Sequence, residues 1–245
     1  SDFVISKLMS KPFKFKEFTI NQDRCAMKVG TDGVLLGAWA TLENNPKSLL
    51  DIGAGTGLIA LQLAQRSAAE TIDAIELDDD AYEQCVENFE ASSWGDRLFC
   101  YHASLQEFVE EIDDSYDLIV SNPPFYKEEV ASGNKARDNA RQNLALPFDI
   151  LLKAAEKLLS SNGSFATIIP FKEEKEFCSL ALKSNLYANR ITRVKGSPDS
   201  EIKRSLLQFS FQETAVQEDE LVIEIERHKY TTTYQKLTSP FYLKM

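Results

Sequence analysis

Apolar and polar positions along this chain follow two periods in turn. Short apolar runs bounded by turn residues occupy 48–53, 71–77, 98–103, 116–121 and 164–170. Each is followed by a stretch whose apolar positions recur at helical spacing, at 57–66, 79–92, 105–112, 148–159 and 172–184, with Ser161-Asn162-Gly163 read as the stop of the fourth helix. Continuous apolar runs suit strands covered on both faces, and strand–helix alternation of this kind builds a parallel sheet between two helical layers. Two further runs, Ala188–Val194 and Ser205–Phe211, are joined through Gly196-Ser197-Pro198-Asp199, a link short enough for an antiparallel hairpin. The pattern predicts an α/β fold with a doubly wound, mostly parallel, seven-stranded Rossmann-like sheet whose last strand is antiparallel.

Before the first of these strands, Phe13-Lys14-Phe15-Lys16-Glu17-Phe18-Thr19-Ile20 alternates at period two and reads as a strand, one arm of a hairpin turning at Asn21-Gln22-Asp23-Arg24. Thr31 or Asp32 can then N-cap a helix that turns Val34, Leu35, Ala38, Trp39 and Leu42 inward. Residues 1–45 are thus expected to form a small N-terminal lobe over the ligand edge. Residues 46–245 form the main domain with a C-terminal hairpin extension, the whole being one compact unit. Leu221–Glu226 could add an edge strand, whereas 230–245 carries no readable pattern.

Candidate chemistry collects at the strand ends. The first strand runs through Asp51 into Gly53, Gly55 and Gly57, and these glycines let the backbone turn sharply and approach a ligand at a helix N-terminus. Their spacing is not the G-x-G-x-x-G of dinucleotide binding, and a carboxylate two positions ahead of the loop suits a ligand with a cationic amino group better than a pyrophosphate. S-adenosylmethionine (SAM) is such a ligand, and it is the cofactor expected here. Glu76, with Leu77 beside it, ends the second strand where an acidic side chain can accept from a ribose diol. After the fourth strand comes Asn122-Pro123-Pro124-Phe125. Two prolines fix φ and contribute no N–H, so the Asn122 amide oxygen and the Pro123 carbonyl can converge as paired acceptors for an exocyclic NH2. A plain strand-to-loop turn is the bland account of the same residues.

In these motifs the chain resembles the class I SAM-dependent methyltransferases, in the amino-methylating branch that carries Asn-Pro-Pro-(Phe/Tyr). The segment Cys25-Ala26-Met27-Lys28-Val29-Gly30-Thr31-Asp32-Gly33-Val34-Leu35-Leu36-Gly37-Ala38-Trp39-Ala40, taken with Asn122-Pro123-Pro124-Phe125-Tyr126, is similar to the bacterial enzymes that methylate N6 of the adenosine next to the anticodon of tRNA1(Val). The resemblance implies a tRNA partner and a base flipped into the site, stacked on Phe125 with Tyr126 as a wall. It also implies that Thr31 and Asp32 lie near the methionyl end of SAM, although helix capping accounts for both equally well. Many relatives place Asp after the third strand, against the cofactor adenine. Here Ala103-Ser104 stands there, and Ser104 can accept one hydrogen bond. Ribosomal-RNA guanine-N2 methylation, glutamine-N5 methylation of proteins and a catalytically silent SAM-binding RNA factor are the alternatives. Phe125 in place of Tyr disfavours the glutamine enzymes, and Tyr126 in place of His the guanine enzymes.

Charge refines the partner. The net charge is −11 over 245 residues, but it is uneven. Basic groups at Lys7, Lys11, Lys14 and Lys16, at Lys127, Lys135, Arg137 and Arg141, and at Arg193, Lys195, Lys203 and Arg204 are the candidate phosphate contacts. Cys25, Cys85, Cys100 and Cys178 are scattered without a C-x-x-C pair, so neither disulfides nor a metal site is expected, and no run is long enough to span a bilayer. A cytoplasmic monomer is the expectation.

Overall fold

The computed structural model describes residues 11–124 and 146–244. Phe125, Tyr126, Lys127, Lys135, Arg137 and Arg141 lie outside the described residues, as does Lys7.

The chain opens with a small antiparallel hairpin, β1 (Phe13–Lys14) and β2 (Thr19–Ile20). Its turn falls at 15–18, where the Phe15 N–H donates to the Phe18 carbonyl at 2.9 Å, and not at 21–24 as the alternation suggested. Burial decides this. Phe15 and Phe18 stack at 4.7 Å inside the core, which requires the chain to fold back between them. Helix α1 (Thr31–Trp39) starts after an extended Gly30 with no side-chain cap, so Thr31 and Asp32 are its first two helical residues and not its cap.

The central elements follow as β3 (Ser48–Ile52), α2 (Leu58–Arg66), β4 (Thr71–Glu76), α3 (Asp79–Glu90), β5 (Leu98–His102), α4 (Leu105–Glu111), β6 (Tyr116–Ser121), α5 (Phe148–Leu158), β7 (Leu159–Pro170) and α6 (Glu174–Lys183). Helix α5 runs straight into β7, so the expected stop at 161–163 is instead a bulge within the strand, between the pairs Tyr116–Leu159 and Leu118–Ser164. Then come β8 (Tyr187–Lys195), β9 (Ile202–Ser210), β10 (Gln217–Val222), the small antiparallel pair β11 (Glu224–Glu226) and β12 (Lys229–Tyr230), and α7 (Thr232–Thr238).

The sheet has eight strands in the order β10-β8-β9-β7-β6-β3-β4-β5, one more than the apolar pattern predicts. The antiparallel strand is β9, inserted between β7 and β8, and the last strand, β10, runs parallel to β8. β10 escapes an apolar reading because its sequence is Gln-Glu-Asp-Glu-Leu-Val. It is held on the edge by charge. Glu218 meets Arg193 at 2.8 Å and Glu220 meets Lys195 at 3.2 Å, while Asp219 bonds Thr192. A charged edge strand also discourages further strand pairing.

Alternate residues of each strand face opposite helical layers. Leu49, Leu118, Ala166 and Leu206 pack with α1, α2, α3, the N-terminal hairpin and α7. Leu50, Ile119, Phe165 and Leu207 pack with α4, α5 and α6, around an aromatic group in which Phe177 lies 4.8 Å from Phe148 and 5.7 Å from Phe209. The tail that carried no pattern closes the first layer. Phe15 bridges to Tyr242, and the Lys16 N–H donates to the Phe241 carbonyl at 2.8 Å. Among the described residues, no helix is long and apolar enough to cross a membrane.

Candidate functional site

One rung of the sheet organises the site. Ser121 of β6 pairs with Ile52 of β3, and Ile52 pairs with Ile75 of β4. Asn122, Gly53 and Glu76 are each the next residue on their strands, so they stand side by side along the carboxyl edge. With neighbouring strands roughly 4.8 Å apart, the three span roughly 10 Å. β3 leads through α2 to β4 on one side and has β6 on the other, which makes this the switch of strand order where open α/β sheets bind ligands. The Ser121 hydroxyl donates to the Ile52 carbonyl at 2.9 Å and holds the two strand ends together. Pro123 is buried, and Asn122 and Pro124 are half-buried beside the gap.

The glycine loop between β3 and α2 uses its three glycines differently. All have positive φ, at 73° for Gly53, 55° for Gly55 and 79° for Gly57. A Cβ on Gly53 or Gly55 would meet nothing within 4 Å, so these two line open space, a cradle that side chains would fill. A Cβ on Gly57 would lie 2.6 Å from the Phe89 ring and 2.9 Å from Cys85 Sγ. Gly57 therefore serves the close packing of α2 on α3.

Asp51 is fully buried at the end of β3. One carboxylate oxygen accepts from the Ala60 N–H at 3.2 Å, and the other, Oδ1, has no partner. Burial pushes this carboxyl up to about 7, against the Ala60 bond that lowers it and with the Glu76 charge adding to the rise. The folded protein thus keeps a proton that the unfolded chain releases near pH 4, so stability falls as pH rises from there towards 7, by up to ~1.4 kcal/mol per unit. Asp51→Asn is expected to flatten the fall of the ligand-free Tm between pH 4.5 and 7.5. An unchanged slope would assign that fall to other groups. An orphaned, buried carboxylate oxygen next to an open glycine cradle fits a ligand that brings a cationic amino group.

Glu76 closes the far side. Its Oε2 accepts from the Gly55 N–H at 2.7 Å, and its Oε1 from the N–H groups of Leu77 and Asp78 at 2.9 Å each. The carboxylate is thereby oriented, with lone-pair capacity left for a diol. Leu77 follows with 49% of its surface exposed, an apolar shelf on the same edge. Ser104 caps α4 in a reciprocal box with Glu107, donating to Glu107 Oε2 at 2.7 Å and accepting from the Glu107 N–H at 3.2 Å. That is a complete structural account of the residue. Thr31 and Asp32 sit on the first turn of α1, with Asp32 Oδ2 accepting from Arg204 Nε at 2.8 Å.

The basic run of β8 and β9 is largely neutralised. Arg193 is held by both oxygens of Glu174 and by Glu218, bonds that raise its guanidinium pKa further, while Lys195 and Arg204 carry the pairs with Glu220 and Asp32. Arg193, Lys195 and Arg204, read from the sequence as phosphate contacts, are thus engaged by carboxylates of α6, β10 and α1. Lys203 remains exposed.

A set of buried amides went unread in the sequence. Asn88 donates to the carbonyls of Thr56 and Asn21 and accepts from the Asn21 N–H. Gln84 accepts from the Arg24 N–H and donates to Asp23, and Gln22 accepts from the Val29 N–H. These bonds tie the segment 21–29 to α3 and to the glycine loop. The available signal was position, because Gln84 and Asn88 are four residues apart on the face of α3 that also carries Ala81, Cys85 and Phe89.

Comparison with known proteins agrees with this fold. A family model, the methyltransferase small domain, matches residues 33–186. A tRNA1(Val) (adenine(37)-N6)-methyltransferase of Flavobacterium johnsoniae is 63% identical over 95% of this chain and 100% of its own length. Similarly named proteins of Bacteroides fragilis and Pectobacterium carotovorum are 43% and 42% identical, over 97% and 95% of this chain and 100% and 94% of their own lengths. Among solved structures, a predicted O-methyltransferase from Agrobacterium tumefaciens superposes with a TM-score of 0.68 over 86% of this chain and 96% of its own, at 17% identity, which speaks to the fold alone.

Proposed function

We infer, from a chain that belongs to the methyltransferase small domain family and within it to the tRNA1(Val) (adenine(37)-N6)-methyltransferases, that it transfers a methyl group from SAM to the exocyclic N6 amine of the adenosine beside the anticodon of that tRNA. The observation that carries this is the 63% identity over the full length of the F. johnsoniae relative. The placement of Asn122, Gly53 and Glu76 just beyond one rung of the sheet supports it.

Bound SAM supplies a methyl group already activated on a sulfonium. The chain's own residues hold and orient. Gly53 and Gly55 leave room for a close backbone approach, Asp51 Oδ1 faces a cationic amine, and Glu76 meets a ribose, with Leu77 as an apolar shelf. Ser104, Thr31 and Asp32 border the same edge. An aromatic amine is a poor nucleophile because its lone pair is delocalised into the ring. The Asn122 amide oxygen and the Pro123 carbonyl accept its two hydrogens, favour a pyramidal nitrogen and aim the lone pair along the attack line, so the rate gain is positioning plus electrostatics. Proton loss follows attack, and no histidine base is required. Phe125 stacks on the base with Tyr126 beside it, the segment 1–45 covers the cofactor, and Lys127, Lys135, Arg137 and Arg141 contact the RNA backbone. A tRNA substrate sets the cytoplasm as the working compartment, and the chain acts there as a monomer without a metal.

The test is transfer of labelled methyl from SAM into total tRNA lacking this modification, with ribosomal RNA and release factor in parallel, followed by nucleoside analysis. N6-methyladenosine in tRNA1(Val) is expected. Label in ribosomal RNA or protein instead would replace the substrate, and SAM binding without any label would overturn the activity.

A further inference from the structure

The carboxyl edge is electrically lopsided around Asn122. On the β4 side, α3 leaves this edge with Asp78, Asp79 and Asp80 and no basic residue among 77–82, while Glu83 and Glu87 farther along the helix pair with Arg24. At the other extreme, the parallel pairing of β10 with β8 brings its end, Val222, to this same edge. There the Ile223 and Glu224 N–H groups bond the Lys195 and Gly196 carbonyls, and the chain turns into the β11–β12 hairpin. The tip, Arg227-His228-Lys229, is exposed, and His228 holds a left-handed φ of 66°, rare for a residue other than glycine. Beside the tip lies a cleft of about 700 Å³ whose walls include Tyr230, Gln235 and Lys244, with Tyr230 backed by Tyr234 at 5.3 Å. Residues 223–244 carry Arg227, Lys229, Lys236 and Lys244 against Glu224 and Glu226, a net positive module in a chain of charge −11.

Resting on the tRNA reading above, we propose that this C-terminal hairpin and its cleft are a second RNA-backbone contact, and that the substrate lies along the edge from Asn122 towards β10 and away from β4. Charge selects the direction, because a polyanion is repelled by Asp78, Asp79 and Asp80 at the β4 end of the edge and attracted by the tip. Four strand spacings separate β6 from β10, roughly 19 Å, or about six stacked nucleotide steps. Contact there lies well beyond the target base and positions the RNA without reading it. The cations to test are Arg227 at the tip and Lys244 in the cleft wall, since Lys229 is tied to Glu226 and Lys236 does not line the cleft.

The test compares Arg227→Glu with Lys244→Glu in one protein and Lys47→Glu with Lys183→Glu, an equal change in charge, in another. Lys47 precedes β3 and Lys183 ends α6, both at the opposite edge of the sheet. Binding of unmodified tRNA is followed by fluorescence anisotropy at several salt concentrations, alongside SAM affinity. The first variant is expected to bind tRNA at least tenfold more weakly, with a salt slope shallower by about 1 to 2 and SAM affinity unchanged. Wild-type affinity and slope in that variant, or the same loss in the control, would overturn the proposal. Arg227→Glu alone, at a solvent-exposed tip, gives a smaller loss of the same kind should the double variant fold poorly. Because binding is read directly, a wild-type protein that bound tRNA without methylating it would count against the activity and leave this surface standing.

Discussion

Asn122→Ala is expected to lower kcat by two to three orders of magnitude or more while leaving SAM affinity within about twofold of wild type. Removing a positioned polar group that acts on the reacting atoms typically costs ~3–4 kcal/mol in the transition state. Asn122 is suited to such a role because it stands one step beyond the rung that joins β6 to β3, with its strand end held by the Ser121 to Ile52 hydrogen bond and its loop stiffened by Pro123 and Pro124. Truncation leaves that scaffold in place, so protein stability and cofactor affinity should hardly change. Single-turnover transfer and isothermal titration with SAM separate the two quantities. Loss of SAM binding together with activity would show that Asn122 supports the cofactor site, and an undiminished rate would remove the paired-acceptor chemistry altogether.

The second large effect separates two glycines of one loop. Gly57→Ala is expected to destabilise the protein by ~3 kcal/mol or more, because a Cβ there adds the strain of a left-handed φ to an overlap with the Phe89 ring and Cys85 Sγ in a core that cannot give way. Gly55→Ala carries the strain of φ +55° but meets no atom within 4 Å. It should cost only ~1 kcal/mol of stability and express its damage as weakened SAM binding, tenfold or more. Urea unfolding of the ligand-free proteins, followed by SAM titration of whichever remain folded, reads both. Equal destabilisation by the two substitutions would contradict the division between packing at Gly57 and ligand approach at Gly55.

Several of these contacts could be read in the chain and others could not. Asp51, the glycines, Glu76 and Asn122 were legible because each follows an apolar run at a strand end, and a period of two or of 3.6 is a local property that survives without knowing what packs against it. The strands β3 to β9 and the helices between them were legible for the same reason. The polar strand β10 was not, since no local period marks Gln217–Val222 and its ion pairs reach cations 25 residues away in sequence. The carboxylate partners of Arg193, Glu174 and Glu218, were unreadable for that same reason. Nor did alternation place the turn at Phe15–Phe18, which depends on a core closed partly by Phe241 and Tyr242 from the far end of the chain.

Sequence alone determined the class of fold and the kinds of groups at the site, because hydrophobic periodicity and turn chemistry act over a few residues. Only the tertiary structure decided that Asn122, Gly53 and Glu76 gather one step beyond a common rung, that Asp51 keeps an unpartnered oxygen in a dry interior, and that Arg193, Lys195 and Arg204 of β8 and β9 are already matched by carboxylates. These are consequences of strand order and burial, which arise from contacts between distant segments and have no local signature.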